Sequence, residues 1–134
     1  MPKFEIETSG GIKISSELKE EDISSIKGIH SRDIGNGYIW YWLPPTEIDN
    51  LNIVFGVCFF EGKLQNINIS LSNPELYGAG WDDFSEGKEQ LRAQHTAEWL
   101  AMRGYKLGKF GWGSIWSGYD KKGGFGHAVV RYNS

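Results

Sequence analysis

Three histidines, one cysteine and a scatter of serines and carboxylates are the residues of this 134-residue chain that could do chemistry. His30, His95 and His127 fall in three separate segments. His95 and Glu98 are three apart, which on a helix would set an imidazole beside a carboxylate. The di-iron arrangement runs in the other order, Glu before His, and needs two copies on paired helices. This single reversed pair therefore reads as structural. Cys58 is enclosed in Val57-Cys-Phe-Phe60, whereas a nucleophilic thiolate needs exposure and a lowered pKa; it reads as a small core residue. Ser85, Ser114 and Ser117 lack the Gly-x-Ser-x-Gly context of a nucleophile elbow. The glycine-rich stretch Gly108-Lys-Phe-Gly-Trp-Gly113 follows a helical segment and precedes a strand, the reverse of a phosphate-binding loop. Asp82 and Asp83 could serve a metal or a basic partner, but helix capping explains them more simply. No cofactor or metal site is expected. An enzyme would have to gather distant residues such as Asp82, Asp83, His95 and His127.

Aromatic side chains carry more information. Six tryptophans are present, four of them in two clusters, Tyr38-Ile-Trp-Tyr-Trp-Leu43 and Trp112-Gly-Ser-Ile-Trp116. Side chains alternate faces along a strand, so Tyr38, Trp40 and Trp42 are expected on one face, and Trp112, Ser114 and Trp116 on one face of another strand. Such ladders build either core or a binding platform. Exposure of at least two of the six tryptophans is expected, and Tyr38, Trp40, Trp42, Trp112 and Trp116 are the candidate binding residues.

Composition bounds the remaining possibilities. The length suits one domain with one core. Hydrophobic content of 40% with 23% charged residues is that of an ordinary globular protein. The 18 glycines point to many turns and a β-rich fold. No apolar run reaches the roughly 18–20 residues that span a bilayer, and the charged start Met1-Pro-Lys-Phe-Glu lacks the apolar stretch of an export signal. A lone cysteine excludes an internal disulfide, and a cytoplasmic location is expected. The net charge of −3 hides a gradient. Residues 1–50 carry 5 Lys/Arg against 9 Asp/Glu, residues 51–100 carry 3 against 7, and residues 101–134 carry 6 against 1. A nucleic-acid binder would be more uniformly basic, so nucleic acid is not expected as a partner.

The elements that position these residues follow from pattern. Phe4 to Ile14 alternates on both sides of Gly10-Gly11 and predicts a β-hairpin. Residues 16–27 allow a short helix. Asn36-Gly37 predicts a turn leading into the aromatic strand 38–43, which Pro44-Pro45 ends. Leu51 to Phe60 reads as a strand buried on both faces, and Leu64 to Leu71 as a half-exposed one. Asp83 with Glu86 has the form of a capping box, predicting one long helix over about 84–103, with Leu91, Ala97, Ala101 and Met102 on the apolar face and Lys88, Arg92, Thr96 and Arg103 opposite. Residues 114–119 and 126–132 read as a last hairpin. The sum is a single-domain α+β fold over residues 1–134, with an antiparallel sheet of six to seven strands and the long helix on one face.

Three function classes follow. The favoured one is a non-enzymatic protein-binding module acting through an aromatic surface, with acidic neighbours steering a basic protein partner. In size, in lacking a catalytic constellation and in its acidic–aromatic character, the chain is broadly similar in type to small bacterial immunity proteins that neutralise a cognate toxin. The alternatives are small-ligand or carbohydrate binding through the tryptophan ladder, and an enzyme with the dispersed His/Asp site. A flat aromatic patch would favour the first, a concave one the second, and a cleft gathering histidines with carboxylates the third.

Overall fold

The computed structural model describes residues 1–78 and 81–133. Two short strands, β1 (Ile6–Glu7) and β2 (Lys13–Ile14), form the N-terminal hairpin, as the alternation about Gly10-Gly11 predicts. The hairpin stays separate from the main sheet. A four-residue helix, α1 (Glu20–Ile23), follows. The main sheet holds eight antiparallel strands: β3 (His30–Gly35), β4 (Tyr38–Trp42), β5 (Thr46–Ile48), β6 (Leu51–Phe60), β7 (Lys63–Ser72), β8 (Gly108–Phe110), β9 (Gly113–Asp120) and β10 (Phe125–Tyr132). Their order is β3-β4-β6-β7-β10-β9-β8, with β5 pairing β6 beyond the end of β4. Pro44 and Pro45 break this strand because neither has an N–H to give the ladder. The Leu43 N–H still donates to the Phe55 carbonyl at 3.0 Å, and pairing resumes at Thr46. The class is thus α+β with a mostly antiparallel sheet, wider than the six to seven strands expected. The additional strands β3, β5 and β8 are short or polar and give no clear alternation.

One face of the sheet is the core. Ile53, Phe55, Val57 and Phe59 of β6 pair in register with Leu71, Ile69, Ile67 and Leu64 of β7, and all are buried. Ala128 and Val130 of β10 and Ile115 of β9 extend that face. Two bodies cover it. The N-terminal segment contributes Phe4, Ile6, Ile14, Leu18 and Ile23 to the core. It is anchored by Glu20 Oε2, which accepts from the Tyr41 hydroxyl at 2.8 Å, and by the Phe4 carbonyl, which accepts from the Tyr132 hydroxyl at 2.6 Å. Over β7, β10 and β9 lies the long helix α3 (Glu86–Met102), against which the short helix α2 (Pro74–Tyr77) packs.

The helix starts later than its acidic residues suggest. Asp82 and Asp83 belong to a 3-10 turn over Trp81–Asp83. The cap is Ser85, whose hydroxyl accepts from the Lys88 N–H at 3.4 Å. The buried face also differs from the one predicted: it presents Glu89, Ala93, Thr96, Trp99 and Leu100, whereas Met102 is 84% exposed. The reason is an ion pair within the packing layer. Glu89 Oε1 accepts from the Gly126 N–H at 2.9 Å, and Arg92 donates to the Leu71 carbonyl at 3.0 Å and to Glu89 Oε2 at 3.2 Å. Arg92 Nε lies 3.1 Å from Glu89 Oε1, close enough for a charge contact but without hydrogen-bond alignment. These side chains occupy the place where β10 runs past its last pairing with β7, at Ala128–Ile69. Thr96 turns its hydroxyl back to the Arg92 carbonyl at 2.7 Å, so a polar residue is buried without an unmet donor.

Candidate interaction face

The other face of the sheet has no covering layer. Among the described residues, α1, α3 and the β1–β2 hairpin all lie against the core face, and α2 packs on α3. Strand alternation assigns the bare face its residues: Tyr38, Trp40 and Trp42 of β4; Gly56, Cys58 and Phe60 of β6; Asn66, Asn68 and Ser70 of β7; His127, Val129 and Arg131 of β10; Ser114, Trp116 and Gly118 of β9.

Register puts these side chains in rows that run across the strands. One row is His30–Trp42–Gly56–Asn68–Val129–Trp116, each residue paired with the next. The adjacent row is Arg32–Trp40–Cys58–Asn66–Arg131–Ser114–Lys109, which crosses the sheet from β3 to β8. Trp40 and Trp42 thus share one surface with Trp116, far away in the sequence.

Each exposed tryptophan sits against a glycine. Trp42 is 37% exposed, and a Cβ on Gly56 would fall inside its indole. Trp116 is 48% exposed, and a Cβ on Gly118 would lie 2.7 Å from its Cζ2. Glycine inside a strand weakens it; an aromatic ring laid over the glycine restores contact area. Trp42 also stacks on Trp40, with centroids 5.4 Å apart and planes 9° from parallel. Tyr38 packs on Phe60 at 4.6 Å, and Trp116 meets His127 edge-on at 5.9 Å. Burial holds the His127 imidazole below its ordinary value, with the Asp120 carboxylate opposing.

Cys58 faces this side too, opposite Trp40 in register, yet it is only 2% exposed. Burial pushes its thiol pKa up. The expectation of an enclosed cysteine on the central strand is met.

Trp112 does not join the others. It lies in the turn between β8 and β9, stacks on Phe110 at 5.5 Å and packs against Tyr132 at 5.8 Å, with its indole N–H donating to the Met1 carbonyl at 3.2 Å. Its neighbours belong to the core side. The shared face expected for Trp112 and Trp116 fails because alternation holds only inside a strand, and β9 begins at Gly113. Of the other tryptophans, Trp99 is 2% exposed in the core and Trp40 is half-buried; the side chain of Trp81 lies outside the described residues. Trp42 and Trp116 fulfil the expectation that at least two tryptophans are exposed.

His95 and His127 lie on opposite sides of the sheet and share no site. His95 Nδ1 lies 2.6 Å from the Tyr77 hydroxyl on the helix layer, whereas His127 is on the bare face of the sheet. Among the described residues, no three of His, Cys, Asp and Glu come close enough to hold a metal ion. A cleft of about 690 Å³ opens between α2, α3 and the β5–β6 turn. It is lined by His95 with the acidic residues Asp49, Glu75 and Glu98, by Trp99, Leu76 and Met102 among others, and by none of the five candidate binding residues.

The charges around the tryptophans are also not those expected. The second row carries Arg32, Arg131 and Lys109 and no carboxylate. The acids of this face, Glu47 and Asp120, stand at its opposite end, paired with Asn52 and Phe125. The sequence pattern does not mark Arg32, Lys109 and Arg131 as members of the surface; the alternation His127-x-Val129-x-Arg131 is the available signal for the last of them. No helix among the described residues is long and apolar enough to cross a membrane. No protein-family model, curated protein or solved structure matches this chain.

Proposed function

We propose that the chain is a non-enzymatic protein-binding module and that the bare face of the sheet is where its partner docks. The observation that carries this reading is the pair of exposed tryptophans, Trp42 and Trp116, each seated on a glycine in one row of an uncovered sheet. Area supports it. Seven strands side by side, averaging about seven or eight residues, make a face of roughly 30 by 25 Å, on the order of 750 Å². That matches the roughly 800 Å² that each partner gives to a standard protein–protein interface. Rings already settled against the sheet lose little freedom on binding, which favours their use as anchors. Tyr38 and Trp40 complete the surface, and Trp112 supports it from behind through Phe110 and Tyr132.

The carbohydrate reading is less well supported. A sugar platform needs open ring faces, and Trp40 and Trp42 each spend one on the other. The dispersed His/Asp enzyme is less well supported: the cleft beside the long helix gathers His95 with Asp49, Glu75 and Glu98, but His127 lies on the other side of the sheet. Neutralisation of a toxin is a specific form of the binding reading, which a toxin gene beside this one would support. The direct test is capture of the partner from the native host, followed by titration. Trp42→Ala and Trp116→Ala should each cost about 2 kcal/mol of binding, roughly 30-fold in Kd, with the fold retained. Undiminished binding by both variants would refute the reading.

A further inference from the structure

The charge pattern of the bare face says more about what it receives, and the inference rests on the binding reading above. We propose that the partner is an acidic protein segment whose carboxylates lie across the strands over Arg32, Arg131 and Lys109.

Three observations carry this. The cations occupy one cross-strand row, immediately beside the row of Trp42 and Trp116, and that row holds no acid. At ~4.8 Å per strand, Arg131 stands about 10 Å from Lys109 and about 19 Å from Arg32. The central cation is also prepared for a carboxylate. Arg131 Nε donates to Asn66 Oδ1 at 3.0 Å, which fixes the guanidinium plane and leaves its two terminal nitrogens for a bidentate acid. Finally, the surface dips at this point into a depression of about 430 Å³, lined by Tyr38, Gln65, Asn66, Arg131, Tyr132 and Asn133. Every polar group there is neutral or cationic.

Glu47 and Asp120 lie at the far end of the face, where Lys121 and Lys122 follow Asp120 in the β9–β10 turn. A phosphate chain would also seek cations and aromatic rings. It suits this face less well: the cations are too sparse to follow a phosphate at each nucleotide.

The test is an NMR titration of the isotope-labelled full chain with hexaglutamate, hexalysine and an eight-residue oligothymidylate at equal salt. Hexaglutamate should shift the Arg131 side-chain and Trp40 indole resonances. Arg131→Gln should weaken that response at least tenfold without lowering the melting temperature, and hexalysine should leave the row unmoved. The proposal is overturned if hexalysine moves the row, if oligothymidylate binds more tightly than hexaglutamate, or if hexaglutamate has no effect or an effect that Arg131→Gln leaves intact. Should Trp42→Ala and Trp116→Ala abolish partner binding while Arg131→Gln and Lys109→Gln do not, the acidic-partner inference falls and the protein-binding reading stands.

Discussion

Trp42 and Trp116 stand in one row of the sheet with Gly56, Asn68 and Val129 between them. At ~4.8 Å per strand their backbones are about 19 Å apart, a span that one protein partner can bridge and a sugar ring cannot. Two of the intervening side chains are small or absent, so the rings rise at the two ends of a shallow saddle. The spacing is set by the strand order, since β4 and β9 are four positions apart.

Gly56 is required by Trp42. A methyl group there would occupy the position of the indole, so Gly56→Ala must expel the ring or shift the strand. Overpacking of this kind costs about 1–3 kcal/mol. The variant should melt at lower temperature and show red-shifted tryptophan fluorescence. Unchanged emission and stability would show that the ring is not seated as described.

Gly126 plays the corresponding part on the core face. A Cβ there would meet the Glu89 carbonyl and the Ala93 nitrogen of α3, both backbone atoms that cannot yield without moving the helix. Gly126→Ala should destabilise by about 3 kcal/mol or more, whereas Gly111→Ala, with nothing within 4 Å of its added methyl, should be nearly neutral. Chemical denaturation of the two variants makes the comparison, and equal midpoints would refute the close approach.

Cys58 should be unreactive in the native fold. Burial both blocks access and raises the thiol pKa, so the thiolate fraction at neutral pH falls below that of a free cysteine. Labelling with a thiol reagent should be slow in buffer and complete in denaturant. Rapid labelling without denaturant would contradict the enclosed position opposite Trp40.

His127 should make stability depend on pH. Its folded pKa lies below the ordinary 6.5 because burial disfavours the imidazolium. Between the folded value and 6.5 the unfolded chain binds more protons, so stability rises with pH through that window. It is lost as pH falls from about 6.5 toward the folded value. His127→Gln should flatten the slope in urea titrations at a series of pH values, and an unaltered slope would assign the effect elsewhere.

Sequence reading reached some of these features and missed others for physical reasons. Period-two alternation placed Tyr38, Trp40 and Trp42 together because the face of a strand is a local property. It misassigned Trp112 because the strand boundary at Gly113 depends on the β8–β9 turn. Local pattern gives the helix but not its buried face. Arg92 and Glu89 look solvent-facing by type, and their long-range bonds to Leu71 and Gly126 draw them against the sheet; Thr96 is buried with its hydroxyl turned back to the Arg92 carbonyl. Ser85 displaced Asp83 as the cap because a 3-10 turn took up the two aspartates. The cross-strand rows depend on which strands pair and in what register, and these pairings join distant segments such as β7 and β10. No local pattern encodes them.

Contact between the bare face and a protein partner in the cell is the decisive point. A photoreactive benzophenone side chain in place of Trp116, expressed in the native host and irradiated, should give one discrete protein adduct that excess wild-type chain suppresses. The same group in place of Met102, exposed on the helix layer, should not give that adduct. A specific adduct at 116 alone is expected; no protein adduct at 116, or the same adduct from both positions, would show that the partner does not dock on this face.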